Sequence, residues 1–524
     1  MARVICLSSP LAQVTTISDH HRYSVSLLSS PATTVRDFQK LHAQFITTGL
    51  VTDPTTATHL LSFITSHTSS FTPSDVLIFL SRIPNPNSYA YTTTIQNLSR
   101  SANPHLAVSL FVSMLTSSSA EPQNRTFPPL FSAYAKISHG DGKQLHGMVI
   151  KMGLADTDPV IRNSILAMYA GYGNLAACCG VFRSCLHRFD PVTWNTMITA
   201  LVKSGFVEEA REVFDEIPCR DRTVVTWSTM INGYVRHKKY GLVLELFRLM
   251  QTTGPVTPNP HVIVSLLSAC GALGALKQGE WAHRLIDKKI TLDGNHNFKY
   301  NPHVQTALVD MYCKCGSIDK AVELFESCPS KPPSLSTWNS LIYGLGMHGR
   351  GHDSLQLFSR LVTSSGLRPD AVTFIAILTA LNHSGMVDEG REIFATMTDA
   401  YGVTAGIEHY GCMIDLLGRG GFVKEAKELI VRMPMRPDLP IWGSLLAASR
   451  RIGDVETGRR AAEKVMELDP TDSSGYVVLA NTYANAGEFG GALKVRVKMK
   501  ERNVERVPGS SSVEVDGVVY EFVG

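Results

Sequence analysis

"VTWNTMITALVKSGFVEEAREVF" runs from Val192 to Phe214, and "VTWSTMINGYVRHKKYGLVLELF" from Val225 to Phe247, 33 residues further on. A third version, "STWNSLIYGLGMHGRGHDSLQLF", begins at Ser336. In the first of these, Trp194, Met197, Ile198 and Leu201 recur at helical spacing. Gly205 breaks the pattern at a plausible C-cap. A second stripe follows, with Val207, Ala210, Val213, Phe214 and Ile217, and Pro218 ends it. Two short amphipathic helices cannot bury such stripes alone. Stacked hairpins can, and the expected product is an all-α fold, an α-solenoid of helix-turn-helix repeats with a concave inner surface.

Other echoes extend the pattern. "SILAMYAGYGNLAACCGVF" from Ser164 is answered by "ALVDMYCKCGSIDKAVELF" from Ala307, and more loosely by "MIDLLGRGGFVKEAKELI" from Met413. "KLHAQFITTG" from Lys40 is answered by "KQLHGMVIKMG" from Lys143. Three unit types recur in fixed order. The chain divides into hairpins at 54–87, 88–123, 124–158, 159–190, 191–223, 224–259, 260–301, 302–334, 335–370, 371–406 and 407–437, after a partial unit at 33–53. The overlong 260–301 unit is expected to loop out residues around "DGNHNFKYN" from Asp293, and the 191–223 unit carries extra residues in "RDRT", Arg220 to Thr223. Strand signals wait until "SSSVEVDGVVYEF", which alternates around Asp516-Gly517 and predicts a small C-terminal hairpin.

Composition sets bounds on function. The chain has 524 residues, 44% of them hydrophobic, with 49 basic against 46 acidic residues and a formal charge of +3. So even a balance gives no chain-wide polyanion surface, and any nucleic-acid contact must be a local basic stripe. The longest apolar run, Val262 to Leu276, is broken by Ser and Gly and is short of a membrane span. The ten cysteines (Cys6, Cys178, Cys179, Cys185, Cys219, Cys270, Cys313, Cys315, Cys328 and Cys412) show no C-x-x-C spacing and read as reduced, small apolar residues. The leader, 1–32, is rich in Ser and Thr, carries Arg3 and Arg22 against Asp19, and suits an organellar transit peptide.

The units of about 31, 35 and 36 residues, together with "VTWNTMITALVKSGFVEEAREVFDEIP", "ALVDMYCKCGSIDKAVELFESCP" and "HVIVSLLSACGALGALKQGEWAHRLI", resemble the plant pentatricopeptide repeat family, in its subclass with three alternating variants. "IWGSLLAASRRIGDVETGRRAAEKVMELDPTDSSGYVVLANTYANAGEF", after Pro437, resembles the tetratricopeptide-like extension domain of such arrays, giving domains at 33–437 and 438–524. The resemblance implies a right-handed solenoid that binds single-stranded organellar RNA, one base per repeat, to mark a cytidine for conversion to uridine. It places the bases against one residue near the start of each first helix and the last residue of each unit. Carried over, Asn163 with Asp190, Asn195 with Asp221 and Asn339 with Asp370 would favour uridine. Ser228 with Asn259 and Thr58 with Asn87 would favour adenosine, while Thr92 with Gln123 and Thr306 with Ser334 leave their bases open. Pro128, Val264, Ile375 and Gly411 offer nothing to read with. Thr223 competes with Asp221 for the reading place. Without the repeat context, Asn195 and Asn339 would read as helix N-caps and Asp190 and Asp370 as capping or turn residues.

In this family the chemistry resides in a zinc deaminase domain carrying H-x-E and C-x-x-C. None of the 18 histidines is followed two residues later by Glu. The chain is therefore expected to be no enzyme, to need no cofactor or metal, and to recruit a deaminase and other editing-complex proteins in trans through 438–524. Organellar RNA stabilisation or splicing, and a tetratricopeptide-like protein scaffold, remain as alternatives. The mitochondrion stands ahead of the chloroplast as location. Ser512 occupies a place where the family usually has tryptophan, and Lys494, Arg496, Lys498, Lys500, Arg502 and Arg506 form a basic run. Gly344, Gly346 and Gly349 spell G-x-G-x-x-G without the strand a dinucleotide site requires. His42 and His146 read as internal helix contacts, and Trp194, Trp227, Trp338 and Tyr91 as hairpin packing.

Overall fold

A computed structural model describes the chain from Lys40 onward, apart from 41, 44, 48, 50–53, 67–71, 84–85, 118–119, 138–141, 185–189, 254–255, 294–300, 328–332, 506–509, 516–517 and 524. The leader and the Asp516-Gly517 turn lie outside the described residues. The chain forms two compact units, 1–233 and 234–524.

Both units are built from helix hairpins. In the first, the leading helices are Pro54–Ser66, Ser88–Arg100, Phe127–Ile137, Pro159–Gly171 and Pro191–Lys203. In the second they are Pro260–Leu273, Pro302–Lys314, Leu335–Met347, Ala371–Ser384, Ile407–Arg419, Leu439–Ile452 and Ser473–Asn485. The helix Val224–Arg236 leads another hairpin. Five leading helices open on proline, at Pro54, Pro159, Pro191, Pro260 and Pro302. The first turn has no use for that N–H, and the ring presets a helical φ. The turn into the second helix needs a left-handed residue, supplied for example by Gly205 at φ 89° and Gly385 at φ 68°.

Within each unit, successive leading helices pack on one another in one layer, and each second helix packs on its own leading helix and on the next. Small residues let the leading helices approach closely. A Cβ on Gly346 would fall 2.2 Å from the Cα of Ala380, and one on Gly344 would fall 2.3 Å from the Cys313 sulfur. The G-x-G-x-x-G stretch is thus a helix–helix seam. Gly344 and Gly346 lie inside the helix Leu335–Met347, not at its end, and only Gly349 lies in the following turn. Burial in this seam pushes the Cys313 thiol up to about 12.

Edge-to-face aromatic pairs join one hairpin to the next: Phe182 with Trp194 at 5.3 Å, Phe214 with Trp227 at 4.9 Å, and Phe325 with Trp338 at 4.7 Å. Such a pair adds roughly 0.5–1.5 kcal/mol to its burial. His146 Nδ1 lies 3.0 Å from the Tyr169 hydroxyl, and the His42 ring packs 5.2 Å from that of Phe79, so these histidines are internal contacts. In the long unit the second helix continues to Asp293, which absorbs part of the expected loop; 294–300 lie outside the described residues. At the C-terminus, strands Ser510–Val515 and Val518–Val523 pair antiparallel, with Val515 opposite Val518.

Replacing Gly346 by valine should separate the two leading helices, because the obstruction is backbone. We expect a loss of about 3 kcal/mol, at the upper end of overpacking costs, read as a lowered midpoint in denaturant unfolding. An unchanged midpoint would refute the seam.

Candidate nucleic-acid interface

One arrangement recurs where consecutive hairpins meet. The residue before a leading helix has extended backbone, and its side chain caps the helix it precedes. The Ala90 N–H donates to Asn87 Oδ1 at 2.9 Å, the Thr193 N–H to Asp190 Oδ1 at 2.7 Å, the Val262 N–H to Asn259 Oδ1 at 2.9 Å, and the Thr373 N–H to Asp370 Oδ1 at 2.9 Å. The Thr337 N–H reaches Ser334 Oγ at 3.3 Å. Some of these caps also touch the fifth residue of the previous leading helix. The Asn163 amide donates to Asp190 at 3.1 and 3.3 Å, and the Asn339 amide lies 3.5 Å from Asp370 Oδ1. Thr306 Oγ1 lies 3.5 Å from Ser334 Oγ. The predicted partners in these three hairpins therefore meet, and their last residues cap as well.

Asn195 and Asn339 are not caps; each is the fifth residue of its helix, in Pro191–Lys203 and Leu335–Met347. Asp221 does not cap the next leading helix. It is exposed in a short 3-10 turn, Cys219–Asp221, and its carboxylate lies 3.7 Å from Arg220. The cap of Val224–Arg236 is Thr223, whose Oγ1 accepts from the Thr226 N–H at 3.3 Å. The physical reason is the two-residue excess in "RDRT". Arg222 folds back and is buried, its guanidinium 4.8 Å from the Phe214 ring, and it donates to the carbonyls of Ile217 at 2.9 Å and Asp215 at 3.1 Å. Thr92 Oγ1 lies 2.7 Å from Thr126 Oγ1, while Gln123 is exposed. Ser228 is buried and donates to the Val225 carbonyl at 2.9 Å. The Thr58 side chain lies outside the described residues, and Ser228 and Asn259 fall in separate units.

Three features escaped the reading of the sequence. Thr126, Thr193, Thr226, Thr337 and Thr373 stand third in their leading segments, and all are buried. Their hydroxyls bridge cap and reader: Thr193 Oγ1 is 2.7 Å from both Asn163 Oδ1 and Asp190 Oδ1, and Thr337 Oγ1 is 2.9 Å from both Thr306 and Ser334. The second residue is exposed, and in four leading helices it is valine: Val160, Val192, Val225 and Val372, with Val192 at 56%. A basic residue stands thirteenth in several segments: Arg100, Lys136, Lys203, Arg236, Lys314, Arg419 and Arg451. Eleven residues bring a helix round to within about 20°, so the second and thirteenth residues share a face. The signal for all three was present in the repeated "VTW" and in a K/R before each turn, but a Thr at helix position three also fits plain capping. The cation also suits the negative end of a helix.

Family models for the pentatricopeptide repeat match residues 192–221, 225–254, 306–331, 336–365 and 408–436. A chloroplastic pentatricopeptide repeat-containing protein of Arabidopsis thaliana is 43% identical over 503 residues, which cover 95% of this chain and 86% of that protein. The chain belongs to the pentatricopeptide repeat family. A mitochondrial pentatricopeptide repeat-containing protein of the same plant is 30% identical, with 93% of this chain and 84% of that protein covered. The crystal structure of the maize pentatricopeptide repeat protein PPR10 shares the fold, with a TM-score of 0.53 at 17% identity over 93% of this chain and 82% of that one.

After the repeats, an E motif matches residues 452–514. In this pentatricopeptide repeat chain it covers the three helices Val455–Leu468, Ser473–Asn485 and Phe489–Glu501. The last helix exposes Phe489 at 72%, Leu493 at 64% and Val497 at 47%, with Lys494, Arg496, Lys498, Lys500 and Arg502 exposed around them. In earlier second helices the residue in the place of Phe489 is covered, as at Val207 and Val423. Arg506 and the Ser512 side chain lie outside the described residues.

Burial pushes the Asp190 carboxyl up, but donation from the Thr193 hydroxyl and N–H and from the Asn163 amide outweighs it and holds the group below its usual range. A depressed folded pKa stabilises fully above the ordinary aspartate value of about 3.9 and is lost as pH falls through the lower folded value. Protection of the Pro191–Lys203 amides against hydrogen exchange, taken relative to the intrinsic rate at each pH, should therefore fall below about pH 4 in the native chain. In Asp190→Asn, which keeps a neutral cap, it should not; equal acid sensitivity in both chains would show that the carboxylate is not the cause.

Proposed function

We propose that this protein binds single-stranded RNA in an organelle and marks a site for C-to-U editing, with the deaminase supplied in trans. The observation that carries the reading is the contact between a fifth-position amide or hydroxyl and the cap of the next leading helix, made by Asn163, Thr306 and Asn339. An exposed valine second in four leading helices and a basic residue thirteenth in several segments stand beside it. That set supplies what a single strand needs: a polar edge for the base, an apolar ledge for its face, and a cation for phosphate. An unpaired base alone can reach such groups, since a duplex hides its edges in stacked pairs.

From 5′ to 3′ the pairs read A, two open bases, U, a pyrimidine, A, two open bases and U, followed by two weakly read bases. The fifth base is the one that the reassignment of Asp221 to Thr223 relaxes. The E motif favours editing over stabilisation or splicing, and the chloroplastic and mitochondrial relatives favour an organelle. We assign 438–524 to partner capture. The apolar stripe of Phe489, Leu493 and Val497 with its basic surround is complementary to an amphipathic helix bearing acidic residues, presented by the deaminase or another protein of the editing complex.

Purified protein should bind a labelled RNA of this pattern at least about tenfold more tightly than one with the U and A positions exchanged, by analogy with base-edge readout. Affinity should fall as salt rises. Equal affinity for both RNAs would overturn base reading. Sequencing of mitochondrial and plastid transcripts from plants lacking the protein should reveal a cytidine left unconverted downstream of this pattern.

Plants complemented with Leu493→Glu should show that cytidine still unedited, while the variant protein binds the RNA normally in vitro. Intact editing would remove the last helix from partner capture.

A further inference from the structure

The three fifth-position asparagines are held to different degrees. Asp190 can only accept, so the amide atom 3.1 and 3.3 Å from its oxygens is the nitrogen. The other end, Asn163 Oδ1, lies 2.7 Å from the Thr193 hydroxyl, whose single proton it shares with Asp190 Oδ1 at the same distance. Turning this amide over would set oxygen against carboxylate. Asn339 is held at one end only: its nitrogen lies 3.5 Å from Asp370, while its buried Oδ1 has no hydrogen-bond partner among the described residues, and the Thr373 hydroxyl donates to Asp370 at 2.9 Å. Asn195 Oδ1 is also buried without a hydrogen-bond partner among the described residues. Its neighbouring cap is Thr223, whose N–H and hydroxyl are already engaged with Thr226 Oγ1 at 3.2 and 3.1 Å.

We propose that Thr193 is a positioning residue that makes Asn163 a stringent uridine reader, whereas Asn195 accepts either pyrimidine. The inference rests on the RNA reading above and refines it. With its carbonyl turned in to Thr193, Asn163 presents N–H beside the Asp190 carboxylate, a donor next to an acceptor. Uracil answers with a carbonyl beside N3–H. Cytosine carries no hydrogen on N3 and meets the pattern only by sliding one atom along its edge, away from the register set by the exposed valines Val160 and Val192. An amide free to turn over, as at Asn195, meets either edge. Sequence reasoning assigned both asparagines to uridine; the difference arises from the third-position hydroxyl and from the displaced cap.

The test uses the full chain and RNAs that differ only by U or C at the fourth or fifth nucleotide of the pattern. We expect the native protein to prefer U about tenfold at the fourth and less than about twofold at the fifth. Thr193→Val, close in shape, should lower the preference at the fourth nucleotide about fivefold, the loss of one hydrogen bond, mainly by improving the binding of the C-containing RNA relative to the U-containing one. Thr193→Ser should restore it, and circular dichroism melting of both variants checks that the fold is retained. An unchanged U-to-C ratio in Thr193→Val, or equal ratios at the two nucleotides in the native chain, would overturn the proposal. A native protein that binds RNA without regard to sequence would instead remove the base-reading premise, and this inference with it.

Discussion

At three junctions, those of Asp190, Ser334 and Asp370, a single side chain performs two tasks. Asp190 accepts from the Thr193 N–H at 2.7 Å and so starts one helix, and it accepts from Asn163 at 3.1 Å on the helix before. An N-cap satisfies donors that no intrahelical carbonyl can reach, and its loss typically costs about 1 kcal/mol. Because capping fixes the carboxylate, the Asn163 amide beside it is ordered by a group already held in place. Preorganisation of that kind lowers the entropy lost when a ligand docks.

The seam between leading helices supplies the second constraint. Gly346 against Ala380 and Gly344 against Cys313 leave no room for larger side chains. Close approach brings successive fifth residues within reach of successive caps; a bulkier seam would part them. The aromatic joints work on the other layer, where Phe214 meets Trp227 and Phe325 meets Trp338. Packing residues and fifth residues alternate on the same helix: Trp194 is buried, while its neighbour Asn195 is half-buried.

The hairpins were legible because hydrophobic spacing, proline at the helix start and glycine after the helix end all agreed, as at Pro191, Trp194 and Gly205. Which residues meet was legible at Asn163 with Asp190, Thr306 with Ser334 and Asn339 with Asp370. It failed at Asp221, because counting back from the next unit assumes an unbroken junction, and the sequence alone does not tell whether extra residues bulge before or after the cap. The buried threonines were invisible for a different reason. A β-branched residue third in a helix is unremarkable in a sequence, and its importance lies in a 2.7 Å contact with a residue 30 positions earlier.

The displaced cap shows how such an array can take up extra residues without rebuilding its stack. The excess residues at Arg220 to Thr223 are taken up in a 3-10 turn, and Arg222 fills the space they open by lying over Phe214 and Trp227. The aromatic joint survives, with those rings 4.9 Å apart. Only the identity of the cap changes, from the aspartate that would hold Asn195 to a threonine that does not. The joint and the seam are thus untouched by the extra residues, and the change is confined to the hydrogen bonds at the junction.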